Sequence, residues 1–427
     1  MTPIQQMFLG AGKGIPQTNF DFHDQVHGVE GNVATLVQNP RVSADPFNEN
    51  RWAFTYTDDD GSKDGYIRIV TRNGTTLTFS DPYDAADSSN VGQTAPVWDV
   101  NNENKILYLY NHSGTKGRVI TVSGSAGNET FSRSSAFTVS NRGYNPFQGR
   151  GAYALGTTGR WAIPYYSSNT AEIRIITVSS SGIDSRDSAG GSNAISVSQS
   201  TTNVPQIVID PNDWTKGMLV AVNTSERFCA RALTFSGTGT SATVTAGSEQ
   251  LLTPNISTYG NAGGGYWASS GWQGLVSNGS GKYTAFARGG DSPHDNRIVC
   301  VAFDYDPSNT TYTLGSAHYA TRNITTSTAG RFYFANNDGN LIAMVGSYGS
   351  VGGYDVTYAQ TCERADNRNL TFSNATAIGN EDHTWTADTE FDIQTDDAQT
   401  CLVVVSDNSD GTNSGALSAV MWQLGGE

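Results

Sequence analysis

The sequence predicts an all-β chain folded as a seven-bladed β-propeller, and three observations predict it. A weak unit of two short apolar strands around an Asp/Asn/Gly turn recurs seven times, and a third strand follows each copy. The last copy lacks an outer strand, and a strand-like segment near the N-terminus is left over to supply it.

The first hairpins, in order, are VSADPFNENRWAFTY from Val42, VWDVNNENKILYLY from Val97, AYALGTTGRWAIPYY from Ala152, IVIDPNDWTKGMLVAV from Ile207, GLVSNGSGKYTAFA from Gly274, FYFANNDGNLIAMVG from Phe332 and FDIQTDDAQTCLVVV from Phe391. Third strands follow at Tyr66, Arg118, Glu172, Phe228, Arg297, Tyr354 and Ala416. With second-strand starts Arg51, Lys105, Arg160, Lys216, Lys282, Leu341 and Cys401 as markers, the steps are 54, 55, 56, 66, 59 and 60 residues, the length of a four-stranded blade with its loops. Repeats thus begin near residues 40, 95, 150, 205, 272, 331 and 390. First and second strands such as IVIDP and LVAV are nearly continuous apolar runs, as strands packed between neighbouring blades require.

More polar fourth segments, such as SSAFTVS near Phe137, NAISVS near Ile195 and EQLLTP near Leu251, suit an outer strand in the first six units. The seventh ends after its third strand. The expectation is that GNVATLVQ, Gly31 to Gln38, pairs with that strand and closes the ring, leaving residues 1–29 as an arm and 30–427 as the propeller. A β-solenoid or two tandem sandwiches would also space short strands evenly, but would leave the orphan strand unexplained.

Composition agrees. Gly numbers 47 and charged residues make up only 15%, which favours turns over solvated helices. Hydrophobic residues at 37% and aromatics at 10% supply enough apolar surface for a folded chain. A net charge of −15 gives no drive toward nucleic acid or anionic membrane. Cys229, Cys300, Cys362 and Cys401 are too widely spaced for a local zinc or redox pair and read as small buried residues. The opening MTPIQQMFLGAGKGIP has no basic n-region and no span-length apolar stretch, so no signal peptide or membrane insertion is expected.

In the arm, Ile4, Met7, Phe8 and Leu9 form an apolar cluster in a Gly-rich setting that cannot bury it locally, so it seeks a partner groove or its own propeller. The segment Met1-Thr-Pro-Ile-Gln-Gln-Met-Phe-Leu-Gly-Ala-Gly12 resembles the first residues of tail-associated, fibre-like virion proteins of marine and cyanobacterial bacteriophages. The resemblance covers about 12 residues of 427, and the DVFST-like run and lectin-like sandwich usual in that family are absent. It implies a virion component of the tail, with Ile4, Gln5, Gln6, Met7, Phe8 and Leu9 as docking residues on other virion proteins. It also implies several copies, because virion parts follow particle symmetry.

Catalytic patterns are sparse. Asp58 to Asp64 and Asp407 to Gly411 lack the Thr-Trp that completes a sialidase-type Ser-x-Asp-x-Gly-x-Thr-Trp turn, and WD, kelch and quinone-binding signatures are missing. Asp58, Asp60 and Asp64 lack the rest of a calcium loop and read as a hairpin turn. His23 and His27 have metal-ligand spacing but only two ligands. No catalytic, cofactor or metal residue is assigned, and no cofactor is expected. Among loop aromatics, which include Tyr83, Trp267, Trp272, Tyr319 and Trp385, Tyr144, Phe147 and Tyr259 are candidates for surface recognition of a host glycan or protein. Three other readings stay open: a virion-displayed glycan hydrolase or lyase, a capsid-surface decoration protein and a cellular ligand-binding propeller.

Overall fold

In the computed structural model every regular element among the described residues is a β-strand. Those residues lie between Phe20 and Leu424; segments 1–19, 27–36, 141–152, 187–194, 201–204, 238–241, 254–272, 289–296, 324–331, 378–390, 396–399, 408–415 and 425–427 lie outside them, with some shorter turns.

The described strands form antiparallel sheets in the order the repeat predicts. The first contains Val37–Ala44, Arg51–Asp58, Gly65–Asn73 and a split outer strand, Thr76–Phe79 and Tyr83–Asp84. The second holds Thr94–Asp99, Asn102–Asn111, Thr115–Ser123, then Thr130–Arg133 and Phe137–Ser140. The third to sixth sheets begin at Tyr153–Ala154, Gln206–Asp210, Gln273–Gly279 and Phe332–Asp338. The last contains Phe391–Thr395, Thr400–Asp407 and Ala416–Leu424. Each sheet's first strand lies against the first strand of the next, and Phe391–Thr395 lies back against Val37–Ala44. This is an all-β, propeller-like architecture.

The closing strand differs from the expectation. Phe20–Val26, not Gly31 to Gln38, pairs with Ala416–Leu424, from Phe20 opposite Leu424 to Val26 opposite Ala419. Val37 and Gln38 instead begin the first strand of the first sheet, opposite Asp58 and Thr57. The register shifts between Gln38 and Arg41, so the strand bulges past Pro40, which has no N–H to give the ladder. The arm therefore ends before Phe20 and not at residue 29. His23 lies in the closing strand opposite Met421; His27 lies outside the described residues.

Middle strands are apolar without alternation because both faces are buried. In the second strand of the second sheet, Ile106, Tyr108 and Tyr110 pack toward the first sheet with Ala53, Ile67 and Ile69. Leu107 and Leu109 pack the other way, with Trp161 and Ile163 of the third. Met218, Val220 and Val222 likewise join Tyr283 and Phe303 of the fifth sheet, while Leu219 and Ala221 join Ile173 and Ile175 of the third. Fully burying one such side chain stabilises by about 1.5–3 kcal/mol. Cys229, Cys300 and Cys362 are free thiols inside these layers.

The outer strands are broken by a repeated device. Ser80 Oγ accepts the Ile69 N–H at 2.9 Å, and the Ser80 carbonyl accepts Arg68 Nε at 2.7 Å. Ser134 repeats this with Val119 at 3.0 Å and Arg118 at 2.7 Å. In the fourth sheet the equivalent is Gly247, whose carbonyl accepts Arg231 at 2.7 Å but which has no hydroxyl. The Ala232 N–H is taken instead by Tyr312 Oη of the fifth sheet, at 2.7 Å. Each break turns an exposed edge into short pieces, which discourages edge-to-edge pairing.

Two outcomes follow. Tyr312→Phe leaves the Ala232 N–H without its acceptor and should cost about 1–3 kcal/mol in urea unfolding, whereas Tyr305→Phe should cost little. Deleting residues 1–19 should leave the thermal midpoint by circular dichroism unchanged, whereas deleting 1–28 strips the edge from Ala416–Leu424 and should lower it; equal midpoints would refute closure by this strand.

Candidate functional site

The chain direction alternates through each sheet, so turns between first and second strands, and between third and fourth, share one face of the propeller. That turn face carries a repeated polar structure among the described residues. Three of its turns share one pattern: Asp45-Pro-Phe-Asn48-Glu-Asn50, Asp99-Val-Asn-Asn102-Glu-Asn104 and Asp306-Pro-Ser-Asn309-Thr-Thr311. Each is a double Asx turn, in which two side-chain oxygens three residues apart accept backbone N–H groups two residues on. The bonds are Asp45 to Phe47 at 2.9 Å and Asn48 to Asn50 at 3.1 Å, Asp99 to Asn101 at 2.9 Å and Asn102 to Asn104 at 3.1 Å, then Asp306 to Ser308 at 2.9 Å and Asn309 to Thr311 at 3.1 Å.

Where these turns meet a neighbouring sheet, the second carboxylate oxygen is used. Asp99 Oδ2 accepts the Gly159 N–H of the third sheet at 3.0 Å. Asp45 Oδ2 pairs with Arg51 at 3.3 Å, and the Arg51 guanidinium lies over the Trp98 ring of the second sheet, 5.1 Å from its centroid. The Trp98 indole N–H in turn donates to the Ser43 carbonyl at 3.0 Å. Arg160 over Trp214, also at 5.1 Å, joins the third sheet to the fourth. Buried Arg364 donates to Asp304, and Arg368 pairs with the same carboxylate at 2.8 Å, joining sixth to fifth. The basic second-strand starts are thus inter-sheet ties in several repeats.

Burial sets the protonation behaviour. Asp45 and Asp99 are held above their ordinary 3.8 by desolvation, partly opposed by the N–H groups of Phe47 and of Asn101 and Gly159. The exposed turn carboxylates of Asp213 and Asp306 go the other way, lowered by hydrogen bonds from Thr215 and Ser308. Burial raises the thiols of Cys229, Cys300 and Cys362, which keeps them un-ionised and unreactive at neutral pH. Among the described residues, no group of three or more His, Cys, Asp or Glu converges to hold a metal. The arrangement fixes turns and joins sheets.

Of the residues singled out in the sequence, Ile4, Gln5, Gln6, Met7, Phe8 and Leu9, and Tyr144, Phe147 and Tyr259, lie outside the described residues, as do Trp267, Trp272 and Trp385. Tyr83 is half-buried, stacked on Phe131 at 5.2 Å with Arg133 beside it. Tyr319 is half-buried in an outer strand. The turns after Val42 and Val97 fall where the repeat places Asp/Asn/Gly turns; their Asp-x-x-Asn capping pattern, shared with the turn at Asp306, is visible in the sequence only once the three are aligned.

No family model matches the chain, and no curated protein matches its sequence. Solved structures do. The BP39L lectin from Burkholderia pseudomallei superposes with a TM-score of 0.53 at 10% identity, over 91% of this chain and 97% of the lectin. A 6-phosphogluconolactonase-like protein from Bacteroides fragilis gives 0.51 at 12% identity, over 87% and 94%. The β-propeller domain of Cps50 (Swd1) from Myceliophteria thermophila gives 0.46 at 9% identity, over 94% and 99%. At these identities the likeness is one of fold. The chain is an all-β propeller.

Removing the Asp99 acceptor should be costly: Asp99→Ala leaves the Asn101 and Gly159 N–H groups unmet and should lose about 1–3 kcal/mol in urea unfolding, and Asp99→Asn, which keeps an acceptor oxygen, less. The pH dependence has a definite sign. Because the folded carboxyl titrates above the unfolded one, the folded state binds the proton first as pH falls toward 3.8, so acidification favours the parent relative to Asp99→Asn in that window. A difference between the two that stays constant with pH would show that Asp99 is not held high by burial.

Proposed function

We propose that this chain is a closed seven-bladed propeller that serves as a structural, tail-associated component of a bacteriophage virion, docked through its N-terminal arm. The observation that carries the reading is where the arm leaves. Phe20–Val26 is the outermost strand of its sheet, in the order that ends at Phe391–Thr395, so the segment before Phe20 joins the ring at its rim. A segment attached at the rim, and similar at its start to those of phage tail proteins, suits a docking tag. The cyclic contact of first strands, with seven sheets in the series, supports the blade number.

In this reading Ile4, Met7, Phe8 and Leu9 enter a groove on another virion protein, and Gln5 and Gln6 satisfy polar groups at its edge. The propeller is displayed in several copies, and loops bearing Tyr144, Phe147 and Tyr259 are available to a host-surface glycan or protein. Polar groups of the turn face are engaged in joining sheets, which supports a scaffold more than a catalyst.

Deleting Met1–Gly12 should yield a propeller that melts as the parent does but is missing from purified particles by quantitative mass spectrometry, and Phe8→Asp should act alike. Incorporation of the deletion variant at the parental copy number would overturn the docking role.

A further inference from the structure

Among the described residues the large hydrophobic side chains that stand exposed are Phe47, at 49%, and Val100, at 40%. Both belong to double Asx turns on the turn face, in neighbouring sheets, and those turns are tied together through Ser43, Trp98 and Arg51. Asp45 and Asp99, 3% and 2% exposed, point inward and pin the backbone on either side of these two residues. Those bonds fix the backbone that carries the pair, so little backbone ordering entropy would be lost when it is covered. Around it stand Pro46 and the amides of Asn48, Asn101 and Asn104, all exposed. The arm starts at the same face: Phe20 pairs with Leu424, the end of a third strand, and third strands run toward the turn face.

We infer that this corner, centred on Phe47 and Val100, seats against the same virion protein that takes the arm; the inference rests on the docking reading above. The partner surface is apolar at its centre, with hydrogen-bonding groups around it and a basic group toward Glu103, because Asp45 and Asp99 are turned away and Arg51 is held over Trp98, while Glu103 stands exposed in the same turn. Nineteen residues span at most roughly 60 Å when fully extended, so a partner that holds Ile4 to Leu9 can lie within range of the corner. Once the arm is bound, contact at the corner is intramolecular, and a small apolar seat is enough to fix the propeller's orientation on the particle.

The test places a photoreactive side chain, Phe47→p-benzoylphenylalanine, in the full chain, with Thr224→p-benzoylphenylalanine as the control on the opposite face, and irradiates purified particles. Thr224 is exposed in the turn after the second strand of the fourth sheet. The expected result is an adduct from position 47 to a different particle protein and none from position 224. Phe47→Asp with Val100→Asp should lower copy number about tenfold at an unchanged thermal midpoint. An adduct to residues 1–12 of the same chain, an adduct to a second copy, or the reverse pattern with position 224 cross-linked would each overturn the seat. Absence of the parent chain from particles would overturn the docking reading itself, whereas arm-dependent incorporation without an adduct at position 47 would overturn this inference alone.

Discussion

Middle strands in this protein carry apolar side chains on both faces, and neither face can be left in water. Ile106, Tyr108 and Tyr110 need the first sheet as much as Leu107 and Leu109 need the third. A sheet so built has no stable solitary form, and a linear stack would leave one apolar face bare at each end. A ring removes both ends at once. The contact of Phe391–Thr395 with Val37–Ala44 returns the series to its start, and the pairing of Phe20–Val26 with Ala416–Leu424 ties the two ends of the chain into one sheet. Opening that pairing exposes an edge and weakens the apolar layers on either side.

Apolar packing alone does not set how neighbouring sheets are turned relative to each other, because side chains of similar volume can slide. Directional groups do. Asp99 reaches a single backbone N–H in the next sheet, Trp98 a single carbonyl in the preceding one, and Tyr312 replaces a missing serine hydroxyl at Ala232. Carboxylates are kept partly buried for this, at a desolvation cost that shows in the raised titration of Asp45 and Asp99. Local hydrogen bonds inside the Asx turns offset part of that cost.

Much of this was legible in the sequence, and the misses have physical causes. The repeated hairpins and third strands fall where the periodicity places them, since two-sided burial writes unbroken apolar runs such as ILYLY. The closing strand was misplaced because Pro40 reads as a strand boundary, while the backbone bulges past it and continues from Val37. FDFHDQV, with two acidic residues and a histidine, gives a weaker strand signal than GNVATLVQ, yet it is the outermost strand of its sheet, a place where polar residues are tolerated. Inter-sheet bonds were not legible at all. Asp99 and Gly159 are 60 residues apart and belong to different repeats, so no local pattern links them.

The same logic separates scaffold from surface. A turn whose capping carboxylate is bonded to its own backbone presents, beside its other side chains, the residue it holds between its caps. In the turn of the fifth sheet that residue is Ser308, which bonds back to Asp306. In the first sheet it is Phe47 and in the second Asn101, with the exposed Val100 one residue earlier, in the place of Pro46. The three turns share their hydrogen bonds, so those bonds do not dictate which side chain is held out to solvent. An exposed aromatic ring on a hydrogen-bonded turn, on the face where the closing strand begins, is most simply accounted for by something that covers it.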